Sequence, residues 1–275
     1  CFAAKYRQTK SRLGKLTRRY RLYRRWEEAV FAKGSRTQIL LITDREVPLY
    51  REIYGTEPER FHLLPPNIDR RTFSESDRES ARLAKLAELG QAADTTLLLM
   101  VGSGFRTKGV DRAIEGLAKL QSTESINTQL VVVGHGKPDS YQRLARSLGV
   151  GDRVHMLGGR ADVPEWMLAA DLLVHPARNE NTGTVLLEAL ANGLPLLVSD
   201  VCGYAFHIER ANAGRLVPSP FSQTQFNQLL QETVDSAELQ QWSANGLKYA
   251  AEEDLYSCHD KACELIEKFV AAKAR

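Results

Sequence analysis

From residue 96 onward, short continuous apolar runs alternate with longer stretches of helical character. The runs occupy residues 96–102, 130–134, 153–158, 171–175, 196–199 and 215–217. Continuous apolar strands that are separated by helices of about 10–15 residues are typical of a parallel sheet covered on both faces. The pattern predicts an α/β fold in which ligands bind at the carboxyl ends of the strands.

The segments on either side of this region have a different pattern. Residues 38–43 and 60–64 are predicted to be short strands, residues 46–54 a short helix and residues 75–89 a charged helix. A stiff turn at 65–69 contains two prolines and places a domain boundary there, with residues 1–66 before it and 67–250 after it. Residues 223–234 and 239–275 are predicted to be helical, and 251–275 are expected to return towards the first domain.

Composition and cysteine usage exclude several classes of protein. The chain has 275 residues, of which 43% are hydrophobic and 26% charged, as in an ordinary globular protein. It has no apolar run of about 18 residues that would span a membrane, and its polar, basic start does not resemble a signal peptide. Four cysteines at positions 1, 202, 258 and 263 fit neither a zinc site nor a disulfide framework. A reducing cytoplasm is the expected location.

The charge is concentrated in one arm, which we define as residues 1–36. It carries twelve Lys or Arg residues against Glu27 and Glu28 alone. Apolar and aromatic residues recur along it at three- and four-residue steps, namely Leu13, Leu16, Tyr20, Tyr23, Trp26 and Val30. A basic amphipathic helix of this kind favours an anionic membrane surface. Two alternatives remain open, packing against a domain with solvated arginines, or binding of nucleic acid.

Residues 178–198 contain the strongest candidate for a ligand site. Glu180 and Glu188 stand eight positions apart, and a helix is predicted from about Thr184 to Asn192, before Gly193 and Pro195. Unpaired N–H groups and the helix dipole favour an anion at such a helix start. Glu188 lies on a helix that is apolar nearly all round, and a buried carboxylate needs a partner. These features suit a nucleotide sugar. The alternative is that Glu188 is a surface helix residue and Glu180 a loop charge.

Two further loops supply basic residues after predicted strands. Arg106 and Lys108 follow a buried strand and open a helix, so they are candidates for a diphosphate, or else solvated loop charges. Thr107 stands where a dinucleotide fingerprint needs glycine. Arg160 follows two glycines and either stacks on a base or is simply exposed. His155 and His175 are interpreted as core histidines. No zinc-protease, Ser-His-Asp or Asp-x-Asp motif occurs, so neither a metal nor a cofactor is expected.

These residues together resemble glycosyltransferase family 4, whose members are retaining enzymes with two Rossmann-like domains in the GT-B architecture. Within it, the likeness is strongest to enzymes of lipopolysaccharide core synthesis. The motifs that carry it are Leu-Pro-Pro-Asn-Ile-Asp at 64–69, Gly-Ser-Gly-Phe-Arg-Thr-Lys-Gly-Val-Asp at 102–111, Gly159-Arg160, Ala-Asp-Leu-Leu-Val-His-Pro at 170–176, the glutamate pair and Cys-Gly-Tyr at 202–204.

The resemblance implies a role for each matching position. Lys108, with Arg106, would hold the donor diphosphate, and Glu180 would position the donor hexose. The remaining donor contacts are the backbone of Gly183, Thr184 and Val185 at the phosphates, Glu188 at the ribose, Arg160 and the adjacent backbone at the uracil, Asn181 in the sugar pocket, and Arg70 or Arg71 just past the turn. Lys108, Arg106 and Glu180 are thus the predicted catalytic residues.

The implied activity is retaining transfer of a hexose from a UDP-sugar to a heptose of the lipopolysaccharide inner core. The enzyme would act at the cytoplasmic face of the inner membrane, without metal and without nucleic acid. Alternatives are a UDP-sugar epimerase of the same architecture, or a non-catalytic module that binds anionic membrane or nucleic acid.

Three departures from the family matter. Its members begin about a hundred residues earlier, the length of a typical domain, so this chain is expected to bind UDP without transferring sugar. They carry Arg where Thr107 stands. Glucose-transferring members have alanine where Asn181 and Thr182 stand, which leaves both UDP-glucose and a UDP-hexosamine open.

Overall fold

A computed structural model describes residues 17–121 and 127–273. They form two compact units, one of residues up to 66 together with those from 257, the other of residues 67–256. The start of the predicted basic helix, including Leu13 and Leu16, lies outside the described residues. In chain order the elements are α1 (Arg18–Phe31), β1 (Ile39–Leu41), α2 (Val47–Tyr54), β2 (Phe61–Leu63), α3 (Glu75–Leu89), β3 (Thr96–Val101), α4 (Phe105–Lys108), α5 (Val110–Gln121), β4 (Thr128–Val133), α6 (Asp139–Ser147), β5 (Val154–Gly158), α7 (Val163–Ala169), β6 (Leu172–His175), α8 (Thr184–Ala191), β7 (Leu196–Ser199), α9 (Ala205–Ala211), β8 (Gly214–Val217), α10 (Gln223–Val234), α11 (Leu239–Glu252) and α12 (Cys258–Lys273).

The unit that contains α1 is organised around a buried arginine. Strands β1 and β2 pair in parallel, and Arg60, which immediately precedes β2, is 5% exposed. Its Nε donates to the Thr37 carbonyl at 2.9 Å and its Nη1 to the Ala32 carbonyl at 2.9 Å. Glu57 balances the charge at 3.0 Å. Arg60 therefore satisfies carbonyl groups at and beyond the carboxyl end of α1, which would otherwise lack partners.

The second unit contains a six-stranded sheet in the order β5-β4-β3-β6-β7-β8. Every neighbouring pair is parallel, which confirms the predicted sheet. The chain runs outward from β3 to β5, returns to β6 beside β3, and then runs outward to β8. The loops that leave β3 and β6 therefore diverge to opposite sides and open a crevice, the usual ligand site of such sheets.

Alternating residues of the central strands build two apolar cores. Leu97 and Leu99 of β3 face one cluster, which includes residues of α3, α7, α8, α9 and α11. Leu98 and Met100 face the other, with residues of α5, α6 and α10. Full burial of such side chains contributes about 1.5–3 kcal/mol each. The continuous apolar runs thus arise because both faces of the sheet are covered.

The structure corrects two predictions from the hydrophobic pattern. Helices α7 and α9 have seven residues each, shorter than the predicted 10–15. The segment predicted as helical over 239–275 is divided, with 253–257 outside α11 and α12. Glu253 is extended, and Leu255 two residues later is completely buried. Its carbonyl accepts a hydrogen bond from Ile68 N at 3.0 Å. We conclude that the chain leaves the helix because Leu255 packs into the core.

Candidate functional site

The two loops at the crevice are fastened to each other. Backbone N–H of Arg178, in the loop after β6, donates to the Thr107 carbonyl at 2.8 Å. Its guanidinium forms two parallel bonds to Asp111, at 2.7 and 2.6 Å. Arg112 donates to the carbonyls of Pro176 and Ala177 at 3.0 and 3.1 Å. A bidentate arginine–carboxylate pair fixes geometry as well as charge, so the loops that carry Lys108 and Glu180 are held in a defined relation.

Helix α8 begins at the crevice without a side-chain cap. Its N-cap is Gly183 with a φ of 86°, a conformation that glycine adopts without steric cost. Thr184 and Val185 are the first two residues of the helix, and backbone N–H groups at such a start have no partner within the helix. The predicted turn and helix start are present, and this geometry is suited to an anion.

Lys108 and Glu180 meet at this point. The Lys108 ammonium contacts Glu180 Oε2 directly, and the two side chains are 18% and 15% exposed. On the other side, Nε2 of His175, which is completely buried, lies 3.5 Å from the same oxygen. Three residues from two loops and the end of β6 therefore form one charged cluster beside the start of α8.

The pKa values in this cluster follow from its contacts. His175 and then Lys108 lower the pKa of Glu180 to about 2, against the opposing effect of burial. Burial lowers the pKa of His175, and the positive charge of Lys108 lowers it further, while Glu180 raises it. At neutral pH the cluster therefore holds a charged Lys108–Glu180 pair and a neutral imidazole.

Arg106 and Asn181 lie near this cluster, but the recorded contacts do not include their side chains in it. Arg106 is exposed on α4, and its carbonyl accepts a hydrogen bond from Arg178 Nη1 at 2.9 Å. Asn181 is exposed one residue after Glu180. Both side chains are exposed, and their predicted roles stay predictions.

The Cys-Gly-Tyr motif supports the loop that carries Glu180. Glu180 and Cys202 form an isolated parallel bridge, and Tyr204 N donates to the Thr182 carbonyl at 2.8 Å. A β-carbon at Gly203 would stand 1.9 Å from the Asn181 carbonyl oxygen, a distance that no side chain tolerates. Glycine is needed there because the two backbone segments approach so closely.

Glu188 lines a cavity of about 320 Å³. The cavity is lined by Asn67, Ile68, Asp69, Arg71, Ala161, Val163, Pro164, Met167, Glu188, Ala191 and Asn192. Burial raises the pKa of Glu188, Asp69 raises it further, and Arg71 lowers it. The predicted residues Glu188 and Arg71 therefore share one cavity, one helical turn along α8 from the Lys108–Glu180 pair.

Arg160 is placed differently from the other predicted residues. Its Nε and Nη2 donate to Asp162 at 2.7 Å each, and Nη1 lies 2.8 Å from Glu88. Lys85 also contacts Asp162 at 2.5 Å. The guanidinium is thus already paired with carboxylates, whereas Ala161, the next residue, lines the Glu188 cavity. The predicted contact of Arg160 with the uracil stays a prediction.

Sequence reasoning missed two features of the site. His175 was interpreted as a core or near-core histidine, and it is completely buried, but its contact with Glu180 was not predicted. A signal for that contact was its place at the end of an apolar run, five residues before the glutamate. The Arg178–Asp111 pair was not identified because its partners are far apart in the sequence.

Within residues 17–121 and 127–273, no group of three or more His, Cys, Asp or Glu side chains has a metal-binding arrangement. No helix in the same ranges is both long and apolar enough to cross a membrane.

Comparison with known proteins connects this site to a family. The family model described as "Glycosyl transferases group 1" matches residues 82–249. The chain is 45% identical over 268 residues to lipopolysaccharide glucosyltransferase WaaG of Escherichia coli (strain K12), a match that covers 97% of this chain and 71% of that protein. It is 33% identical over 191 residues to D-inositol 3-phosphate glycosyltransferase of Nocardiopsis dassonvillei, of which it covers 44%, with 66% of this chain aligned.

Solved structures agree with the sequence comparison. A crystal structure of WaaG, described as a glycosyltransferase involved in lipopolysaccharide biosynthesis, matches with a TM-score of 0.87 over 97% of this chain and 72% of that one, at 45% identity. Anabaena Alr3699/HepE in complex with UDP-glucose matches with a TM-score of 0.69 over 84% and 64% of the two chains, at 21% identity, and so shows the fold alone. The expected α/β GT-B fold is confirmed, and the chain belongs to the glycosyl transferases group 1.

Proposed function

We propose that this protein takes part in retaining transfer of a hexose from a UDP-sugar to a heptose of the lipopolysaccharide inner core. The observation that carries the proposal is the Lys108–Glu180 pair at the uncapped start of α8, with Glu188 in a cavity one turn further on. Lys108 and the helix start supply positive charge for a diphosphate. The two carboxylates on either side offer hydrogen-bond acceptors for hydroxyl groups of hexose and ribose.

One relative supports a hexose donor and a lipopolysaccharide acceptor, since the E. coli protein is named as a lipopolysaccharide glucosyltransferase. Glucose itself is left open here, because Asn181, next to Glu180 in the chain, is polar and exposed. A hexosamine, which carries an amide or amine in place of a hydroxyl, is an equally suitable donor sugar.

The proposed reaction retains the configuration of the sugar. The bond from the anomeric carbon to the β-phosphate breaks, the acceptor oxygen bonds on the same face, and the acceptor proton passes to the leaving phosphate oxygen. Negative charge grows on that phosphate in the transition state. Lys108 would neutralise it together with the N–H groups at the start of α8 and with exposed Arg106, which requires no metal ion. Glu180, whose pKa is lowered to about 2, stays ionised and positions the hexose.

We further propose that α1 attaches the protein to the inner membrane surface. Its buried residue Tyr20 faces the protein. Leu22, Tyr23 and Trp26 are 41, 38 and 56% exposed, and Arg18, Arg19, Arg21 and Arg25 are exposed as well. Exposed aromatic rings among arginines suit the headgroup region of an anionic bilayer.

Two measurements test the enzymatic proposal. Calorimetric titration of the 275-residue chain with UDP-glucose and with UDP-N-acetylglucosamine should show binding to at least one of them. A chimera that adds the part of the E. coli relative outside the match is then incubated with each donor and with core lipopolysaccharide that lacks the hexose. Mass spectrometry should detect one added sugar, and no added sugar with any UDP-sugar would overturn the proposal.

The membrane proposal has a separate test. The chain should sediment with vesicles of phosphatidylglycerol and not with vesicles of phosphatidylcholine. Substituting Trp26 and Arg25 with Ser should reduce sedimentation, since each arginine near an anionic surface contributes about 1 kcal/mol. Equal sedimentation with both lipids would contradict an electrostatic attachment.

A further inference from the structure

His175 is an unusual residue to bury. It is the last residue of β6 and is completely inaccessible to solvent. Within the described part of the chain Nδ1 has no hydrogen-bond partner. Nε2 stands 3.5 Å from Glu180 Oε2, at the limit of a hydrogen bond. A buried polar group without a partner costs about 1–3 kcal/mol. An apolar side chain would avoid that cost, so packing alone gives no reason for histidine here.

The charges around His175 are few and they oppose each other. Lys108 and Glu180 are the charged groups whose fields act on its pKa. The register partner of His175 on β7 is Val198, and β3 on the other side ends with Met100 and Val101, so the adjoining strands add no charge. The protonation of the imidazole therefore depends on how the Lys108 and Glu180 charges are balanced.

Donor binding changes this balance. In the structure Lys108 is engaged by Glu180, whereas the proposed function needs Lys108 at a diphosphate. A diphosphate carries two negative charges and competes with one carboxylate for the ammonium. When Lys108 turns to the diphosphate, Glu180 is left in a half-buried position without that cation. A half-buried carboxylate that loses a paired cation is stabilised when another cation takes that place.

We infer that His175 is that replacement: on donor binding its ring takes up one proton and pairs, as an imidazolium, with the Glu180 carboxylate. The inference rests on the proposed function, because it assumes that Lys108 binds the diphosphate. The proton comes from solvent and its buffer, and the imidazolium then carries a hydrogen on both ring nitrogens, with Nε2 the one that faces Glu180. His175 does not touch the donor and is a positioning residue, which holds Glu180 against the hexose while Lys108 is occupied.

The direction of the effect follows from the contacts. In the unliganded protein, burial and the Lys108 charge lower the pKa of His175, and only Glu180 raises it. Neutralising Lys108 with a diphosphate removes one lowering influence and leaves the influence of Glu180. The pKa of His175 therefore rises on binding. By linkage, a donor that binds with proton uptake binds more tightly at lower pH.

Calorimetry measures this uptake directly. UDP-glucose, and in parallel UDP-N-acetylglucosamine, is titrated into the chain between pH 6 and 8 in buffers with different ionisation enthalpies. The diphosphate of a UDP-sugar has no ionisation in this range, so any uptake belongs to the protein. We expect uptake that approaches one proton, with Kd rising by up to about tenfold per pH unit where uptake is complete.

A pair of variants assigns the proton. His175→Asn keeps a polar side chain that does not titrate, and it should bind the donor without proton uptake and with little dependence on pH. His155→Asn is the matched control, because His155 lies on a strand of the same sheet and is half-buried, but it contacts Gln129 at 2.9 Å and not Glu180. It should keep both the uptake and the pH dependence of the unmodified chain.

Each outcome of these experiments bears on the inference or on the proposed function. Binding without proton uptake overturns the inference and leaves the proposed function standing, and uptake that persists in His175→Asn places the proton elsewhere and also overturns it. Absence of binding by both UDP-sugars overturns the proposed function and this inference with it. If His175→Asn does not fold, NMR titration of the histidine rings in the unmodified chain replaces it. The pKa of one ring should then rise by more than about one unit with UDP-glucose, and no such rise contradicts the inference.

Discussion

Glu180 and Glu188 are the same kind of side chain eight positions apart, yet their surroundings act on them in opposite ways. His175 and Lys108 lower the pKa of Glu180 to about 2. Burial raises the pKa of Glu188, and no cation pairs with it among the residues that the structure describes. Glu180 is fixed between an ammonium and an imidazole, whereas Glu188 faces an open cavity of about 320 Å³.

The difference indicates what each end of the site recognises. A carboxylate that is already paired is pre-oriented, and charge-dense surroundings suit an anionic group. A desolvated carboxylate without a paired cation gains most from neutral donors such as hydroxyl groups. Under the proposed function, the Glu180 end would bind the diphosphate and hexose, and the Glu188 end would bind the ribose. The predictions below test this division.

The largest effect is expected for Lys108→Met. Removal of the ammonium should lower kcat for sugar transfer at least about 100-fold, the scale of losing one group that stabilises transition-state charge. Mass-spectrometric rate measurements in the chimera give this number, and Lys248→Met, which removes an exposed lysine of α11, is the control. A rate for Lys108→Met close to that of the control would remove Lys108 from the charged end.

Glu188→Ala tests the hydroxyl end. Loss of a hydrogen bond to a charged group should weaken UDP binding by about tenfold to a hundredfold. The unmodified chain should also prefer UDP over 2′-deoxy-UDP, and the variant should show no such preference in calorimetry. Glu165→Ala, at an exposed position of the neighbouring helix α7, should behave as the unmodified chain. A preserved preference in Glu188→Ala would separate this glutamate from the ribose.

Glu180→Gln should lower the free energy of unfolding by about 2 kcal/mol at pH 7. The folded pKa of Glu180 lies below its ordinary value of 4.5, at about 2. Its contribution is therefore fully present above pH 4.5 and is lost as pH falls towards 2. Denaturant titrations should show the difference between variant and unmodified chain shrinking from pH 5 to pH 3, and a constant difference would disagree with the ion pair.

Glu188→Gln should have the smallest effect and the opposite sign. The folded pKa of Glu188 is raised by burial, so the ionised form is disfavoured in the folded protein at neutral pH. Replacing it by a neutral amide should raise the free energy of unfolding by less than about 1 kcal/mol at pH 7. The gain should vanish below the ordinary pKa of 4.5. Destabilisation at pH 7 would show that Glu188 has a favourable partner.

Much of this architecture follows from local patterns in the sequence. Apolar runs gave the strands, Glu75–Leu89 matches the predicted helix over 75–89, and Gly183 before an apolar helix indicated an anion site. The hydrophobic pattern does not reveal which side chains from different strands and loops face each other. Whether His175 faces Glu180 depends on the orientation of a loop held by Arg178 and Asp111, whose pairing joins two distant segments.

The contacts of Arg160 also could not be predicted from the local sequence alone. Two glycines before an arginine indicate a loop near a ligand, and the structure does bring the next residue, Ala161, to the cavity. The guanidinium of Arg160 pairs with Asp162, which is close in the sequence, and with Glu88, which is distant in the sequence. Only the packing of α3 beside α7 brings Glu88 within reach, which no local pattern records.

The switch in strand order between β3 and β6 has a consequence for folding. Lys108 follows β3 and Glu180 follows β6, and these strands become neighbours only after the chain has completed β4 and β5 and returned. The binding crevice therefore does not exist in any partly folded state that lacks the centre of the sheet. A nucleotide sugar would bind only the assembled unit and shift its unfolding to higher temperature by mass action. The fraction of molecules with a nucleotide sugar bound in the crevice would then report the fraction of the protein that is natively folded.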